Sequence, residues 1–149
     1  MDNKLIYEFS SQKTDGDASL SNLLGGKGAN LAEMSKLGIQ VPPGFTITTE
    51  ACNYFSMNKK LPDGLKEEII SYVSNLEGLS QKSFGNSESP LLLSVRSGGM
   101  ISMPGMMDSI LNIGLNDDNV QNLAKAFNDE RFAFAVSYTH LTLPTTPYV

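Results

Sequence analysis

Leu65, Ile69, Val73 and Leu76 recur at i, i+4, i+8 and i+11, with Lys66, Glu67, Glu68 and Asn75 between them. Apolar residues at that spacing form one stripe of an α-helix, so this segment is predicted to be a surface helix packed on a core. Such a helix needs a core to receive it. With 149 residues, 40% of them hydrophobic, the chain has enough apolar material to build one. The length fits one domain or a piece of a larger one.

The elements around that helix follow from simpler signals. Leu5 to Phe9 has strand-like composition, and the polar stretch Ser10 to Ser19 reads as a loop. From Gly28 onward, Leu31, Met34 and Leu37 lie three apart among good helix formers, with Gly38 at a C-cap position, which predicts a helix of about three turns. Pro42-Pro43-Gly44 cannot continue it, and the β-branched and aromatic run Phe45 to Thr49 predicts a short strand. Thr48 or Thr49 is expected to cap the next helix, whose first turn carries Glu50. A Ser/Gly/Asn-rich linker is expected from Gly78 to Ser89, then a buried strand over Leu91 to Val95 with Arg96 at its end, and a helix around Asn119 to Phe127. The expected class is α+β, a small sheet covered by helices that begin near Gly28, Thr49, Asp63 and Asn119.

Composition excludes several functions. One cysteine rules out an internal disulfide framework or a cysteine-cluster metal site, and Cys52 is expected to be a small buried hydrophobe. Sixteen acidic against 11 basic residues, without a Lys/Arg run, argue against a nucleic-acid or anionic-membrane surface. No apolar run approaches the roughly 18 residues of a membrane helix, and Asp2, Lys4 and Glu8 interrupt the start where a secretory signal would be apolar. The expected location is the cytoplasm.

Two segments have the residue types for phosphate chemistry. In Gly25-Gly26-Lys27-Gly28, glycines let backbone N–H groups approach a ligand, the following helix offers a partial positive charge, and Lys27 adds a full one. It is neither a Walker A loop nor a GxGxxG fingerprint, and a glycine-rich turn with a solvated lysine remains an alternative. In Ser94 to Asp108, Arg96 at a strand end followed by Ser97, Gly98 and Gly99 suits two-pronged recognition of phosphate or carboxylate, or else a structural ion pair. Four of the 7 methionines fall between Met100 and Met107, adaptable packing on a glycine-punctuated loop.

Together GGKGANLAEMSKLGIQVPPGFTITTEAC, PLLLSVRSG and SMPGMMDSILNIGLND resemble the start of the pyruvate, phosphate dikinase family, over most of Leu23 to Asp117. The resemblance implies the first lobe of an ATP-grasp-like nucleotide-binding domain. It further implies ATP as substrate, phosphoryl transfer to a histidine on another domain, and transfer onward to pyruvate or phosphoenolpyruvate. Lys27 then matches the family's phosphate-contacting lysine, and Arg96 its arginine on the nucleotide phosphates, where it serves catalysis as well as binding. Gly105 matches a loop glycine close to the nucleotide. Gly99-Met100-Ile101 departs from the Ala-Arg-Ala of many members, so a second arginine is absent here. Ligands for Mg²⁺ and the adenine pocket are expected outside this chain, with no metal ligand within it. The expected partners are ATP or AMP and, in the intact enzyme, phosphate and pyruvate or phosphoenolpyruvate; oligomers are expected only of the full-length enzyme. Alone, the chain is predicted inactive. A non-catalytic nucleotide- or phosphate-binding module, or an inactive structural fragment, is the alternative.

The resemblance stops near Ala135. AVSYTHLTLPTTPYV has no charged residue and places Thr and Pro where helix formers are expected. Residues 1–135 therefore read as a partial nucleotide-binding domain and 136–149 as a non-native tail at the end of a truncated frame. His140, the single histidine, is expected to be incidental.

Overall fold

The computed structural model describes residues 4–86, 88–97 and 109–142, which form two compact units, residues up to 79 in the first and 80–97 with 109–142 in the second. In the first unit, β1 (Ile6–Phe9) pairs antiparallel with β2 (Gly44–Ile47), with Ile6 opposite Ile47 and Phe9 opposite Gly44. Thr48 N–H extends the ladder to the Leu5 carbonyl at 3.0 Å. Between the strands runs α1 (Ser21–Lys36), preceded by a single 3₁₀ turn over Ala18–Leu20. After β2 come α2 (Thr49–Asn58) and α3 (Leu65–Ser80).

The core of this unit joins Ile6, Ala51 and Leu65, with Leu5, Phe45, Ile69 and Tyr72 packed against them. The amphipathic pattern of α3 is therefore borne out, Leu65 and Leu76 being buried on its inner face. The Phe45 and Tyr72 rings meet at 5.4 Å between centroids, tilted by 39°.

The second unit contains β3 (Leu93–Arg96) and β4 (Ser109–Ile113), followed by α4 (Asp117–Phe127) and α5 (Glu130–Thr142). The strands pair antiparallel with a bulge, because the register shifts between Leu93 opposite Ile113 and Val95 opposite Ile110. Asn112, at φ 57, absorbs the extra residue of β4. Leu115, Val120, Leu123, Ala124 and Ala133 form the core, with Leu92 and Val136 against it. At the start of α4, Asn116 and Asn119 exchange side-chain-to-backbone hydrogen bonds of 2.7 and 2.9 Å, and the Asn119 amide also donates to the Gly114 carbonyl at 2.7 Å. That is a reciprocal cap with asparagine where glutamate is more usual.

Several expectations need correction. The described residues are α+β, but with two two-stranded sheets instead of one small sheet. The Leu91–Val95 run is not a buried strand: Leu91 is buried, whereas Val95 is 54% exposed, since a two-stranded ribbon leaves most of its surface uncovered. The linker expected from Gly78 starts later, because α3 continues to Ser80. Cys52 is exposed; the inward position at the start of α2 belongs to Ala51. The sequence reading also missed α5, whose Thr-containing segment continues as helix to Thr142.

Candidate functional site

The glycine–lysine segment lies inside α1. Gly25 has φ 68 and ψ 162, which breaks the helix into a first turn and a second stretch that restarts at Gly26. Only glycine adopts that conformation readily. Lys27, half-buried, therefore sits in the first turn of the restarted stretch, where backbone donors and the helix dipole favour an anion. The helix expected from Gly28 thus begins earlier, and two of the glycines have local structural causes. Gly25 makes the break. Gly28 allows contact with β2, because a Cβ there would lie 2.7 Å from Thr46 Cγ2 and 2.8 Å from Thr46 Oγ1.

That close approach explains which face of α1 is buried. Leu24, Ala29 and Ala32 are inside, while Met34 and Leu37 of the expected apolar row are 39% and 69% exposed. A helix lying against strands at this distance admits small residues and excludes large ones.

Two adjacent threonines at the start of α2 have different tasks. The expected cap of α2 is Thr48, whose buried hydroxyl accepts from Ala51 N–H at 3.4 Å. Thr49 is released for another task, and its hydroxyl donates to the Asn22 carbonyl at 2.8 Å, just before the break at Gly25.

Charge elsewhere in this unit is internally matched. The buried Glu8 carboxylate accepts from the Asn75 amide at 3.1 Å and lies 3.5 Å from Lys13 Nζ. Asp15 accepts from Glu8 N–H at 3.1 Å and pairs with Lys4 at 2.9 Å and Lys13 at 3.6 Å. Burial pushes the Asp15 carboxyl up, but the hydrogen bonds from Lys4 and Glu8 and the two ammonium charges outweigh it, leaving it below its ordinary value. The Asp15 charge in turn raises Lys13 against the opposing effect of desolvation. These contacts pin the loop after β1 to the sheet.

In the second unit, Arg96 ends β3, exposed and opposite Ser109 of β4. Its guanidinium makes no ion pair with another described residue, so the structural ion pair considered from the sequence is not found among them. Lys27 and Arg96 belong to different units, each described by itself. Gly105, the Gly99-Met100-Ile101 departure and the methionines of the intervening loop lie outside the described residues. Among the described residues no three His, Cys, Asp or Glu side chains converge in a way that could hold a metal ion. No helix of the described residues is long and apolar enough to cross a membrane.

Sequence reasoning singled out Lys27 and Arg96 as candidates and Thr48 or Thr49 as the cap of α2, but it missed the contact of Thr49 with Asn22. Nothing in the spacing of residues connects Thr49 to Asn22, 27 positions earlier.

Comparison with known proteins finds similar sequences over most of the chain. Residues 21–84 match the family described as pyruvate phosphate dikinase, AMP/ATP-binding domain. The chain is 52% identical over 131 residues to a pyruvate, phosphate dikinase of Rickettsia bellii (strain RML369-C), covering 87% of this chain and 15% of that protein. It is 51% identical over 132 residues to the pyruvate, phosphate dikinase of Clostridium symbiosum, covering 88% and 15%. With that of Entamoeba histolytica (strain ATCC 30459 / HM-1:IMSS / ABRM) the identity is 56% over 130 residues, covering 87% and 14%. The chain thus spans about 15% of the length of the curated relatives it matches. The Gly25 break and Lys27 fall within the segment, residues 21–84, that is similar to the AMP/ATP-binding domain of pyruvate phosphate dikinase.

Proposed function

We propose that this chain supplies part of the ATP phosphate site of a pyruvate, phosphate dikinase-like phosphotransferase. The observation that carries the reading is Lys27 in the first turn of the stretch restarted at Gly25, within the segment that matches the AMP/ATP-binding family. An ammonium at that position would add a full charge to the helix's partial one, and both favour an anion. Arg96, exposed at a strand end, would offer a planar pair of donors to nucleotide phosphate, and Gly105 is proposed as a nucleotide-site glycine by resemblance to the family alone.

In this reading the fold is the first lobe of an ATP-grasp-like domain. The nucleotide's phosphoryl group passes to a histidine on another domain and then to pyruvate, or in reverse from phosphoenolpyruvate. Lys27 and Arg96 hold the phosphates in place and offset their charge; they form no covalent bond to the substrate. Mg²⁺, which would neutralise phosphate charge, would be held by residues outside this chain, as would the acceptor histidine. The 149 residues alone would therefore be catalytically inactive. The exposed cysteine suits the reducing cytoplasm we propose as its location.

Calorimetric titration of the purified chain with ATP tests the site. Saturable binding should weaken roughly 10- to 150-fold on Lys27→Ala, the value of a charge-assisted hydrogen bond. No saturable binding at millimolar ATP, or binding indifferent to Lys27→Ala, would reject the assignment.

A further inference from the structure

Thr49 sits at the first position of α2 yet does not cap it, because the preceding Thr48 hydroxyl takes that role. Instead its Oγ1 donates to the Asn22 carbonyl at 2.8 Å. In an undistorted helix the Asn22 carbonyl would accept from Gly26 N–H, four residues on. At Gly25 a ψ of 162 turns the next peptide out of the helical direction, so that Gly26 N–H no longer points back along the axis. The hydroxyl of Thr49 therefore provides a donor where the break removes one. On the other side of the break, Gly28 rests against Thr46 of β2. The two residues of the Gly26-Lys27 pair are thus held from both ends, by a hydrogen bond before the break and a steric contact after it.

We propose that Thr49 is a positioning residue for Lys27: its hydroxyl fixes the turn before Gly25 and so sets where the Lys27 ammonium meets the nucleotide phosphate. The inference rests on the phosphate-binding reading of Lys27. It adds to that reading a residue on a different helix, acting through Lys27 and not by touching the ligand.

The test compares Thr49→Val, which keeps the shape and removes the hydroxyl, with Thr49→Ser, which keeps the hydroxyl. Amide hydrogen exchange of the 149-residue chain should show faster exchange across Gly25–Gly28 in the valine variant and near-native exchange in the serine variant. In calorimetric titrations with ATP, Thr49→Val should weaken binding roughly 2- to 10-fold, the value of one neutral hydrogen bond, and Thr49→Ser should restore most of it. In a Lys27→Ala background the same valine substitution should produce little further loss, because the two residues act as one unit. Equal losses in both backgrounds would mean a general structural role and overturn the proposal, as would unchanged exchange at Gly25–Gly28. If the unsubstituted chain fails to bind ATP, the phosphate-site reading falls and the positioning role with it. Exchange still separates the cases: a valine-specific opening of the turn would show that the mechanical link is real while its purpose was misassigned.

Discussion

A Cβ placed on Gly28 would come within 2.7 Å of Thr46 Cγ2 and 2.8 Å of Thr46 Oγ1, closer than real side chains approach one another. This close approach limits how large a residue can stand between α1 and β2, one position from Lys27.

Gly28→Ala should destabilise the first unit. Overpacking costs about 1–3 kcal/mol, partly offset by a helix-propensity gain of up to about 1 kcal/mol. Because Thr46 Cβ itself is 3.3 Å from the added methyl, Thr46→Ala should relieve most of the clash. Urea unfolding of both single variants and the double variant should give a coupling energy that favours the double; simple additivity would show that the contact relaxes in some other way.

Stability should have an acid limb. Hydrogen bonds from Ser19 and Lys36 hold the Asp17 carboxyl at about 2, below its usual 3.8, and Asp15 is lowered as well. A carboxylate whose pKa is depressed by folding stabilises above its unfolded pKa and loses that contribution as pH falls through the folded value. The urea midpoint should therefore be level above about pH 5 and decline from about pH 4 toward pH 2. Asp17→Asn should flatten part of that decline, measured across the same range. Lys13 acts in the opposite sense: its raised pKa gives a contribution complete below its unfolded value near 10.5 and lost as pH rises through the folded one.

Asn119→Ala should weaken the second unit by about 1–3 kcal/mol. The side chain is buried, accepts from Asn116 N–H and donates to the Gly114 carbonyl, so its removal leaves two backbone groups unpaired at the start of α4. Asn119→Asp keeps the acceptor and removes the donor, and should fall between the two in thermal unfolding. An aspartate variant as stable as the parent would exclude the Gly114 contact as a contributor.

Substitution at Arg96 should separate charge from shape. Under the phosphate-site reading, Arg96→Ala should lower ATP affinity roughly 10- to 150-fold, and Arg96→Lys should recover only part, because an ammonium cannot reproduce two parallel guanidinium donors. Calorimetric titration against ATP and inorganic phosphate reads the difference. Full recovery by lysine would mean that only charge matters there.

Much of the architecture was legible in residue order. The spacing of Leu65, Ile69, Val73 and Leu76 determined α3, Pro42-Pro43-Gly44 ended α1's segment before β2, and Gly38, at φ 77, stands just beyond the helix end as its position predicted. These are local signals, set by backbone sterics and helical period within a few residues. Lys27 and Arg96 could be singled out as candidates from equally local signals, as cationic residues close to glycines.

What only the tertiary structure decided depends on contacts between distant residues. The break at Gly25, the small-residue face of α1, the choice of Thr48 as cap and the reach of Thr49 to Asn22 all follow from how closely α1 and α2 approach their neighbours. The exposure of Val95 follows likewise from the sheet having two strands, which its apolar composition could not reveal. A sequence fixes which residues prefer helix or strand, whereas close packing selects which face is buried and which hydroxyl finds which carbonyl, because those choices depend on distances that exist only once the chain has folded.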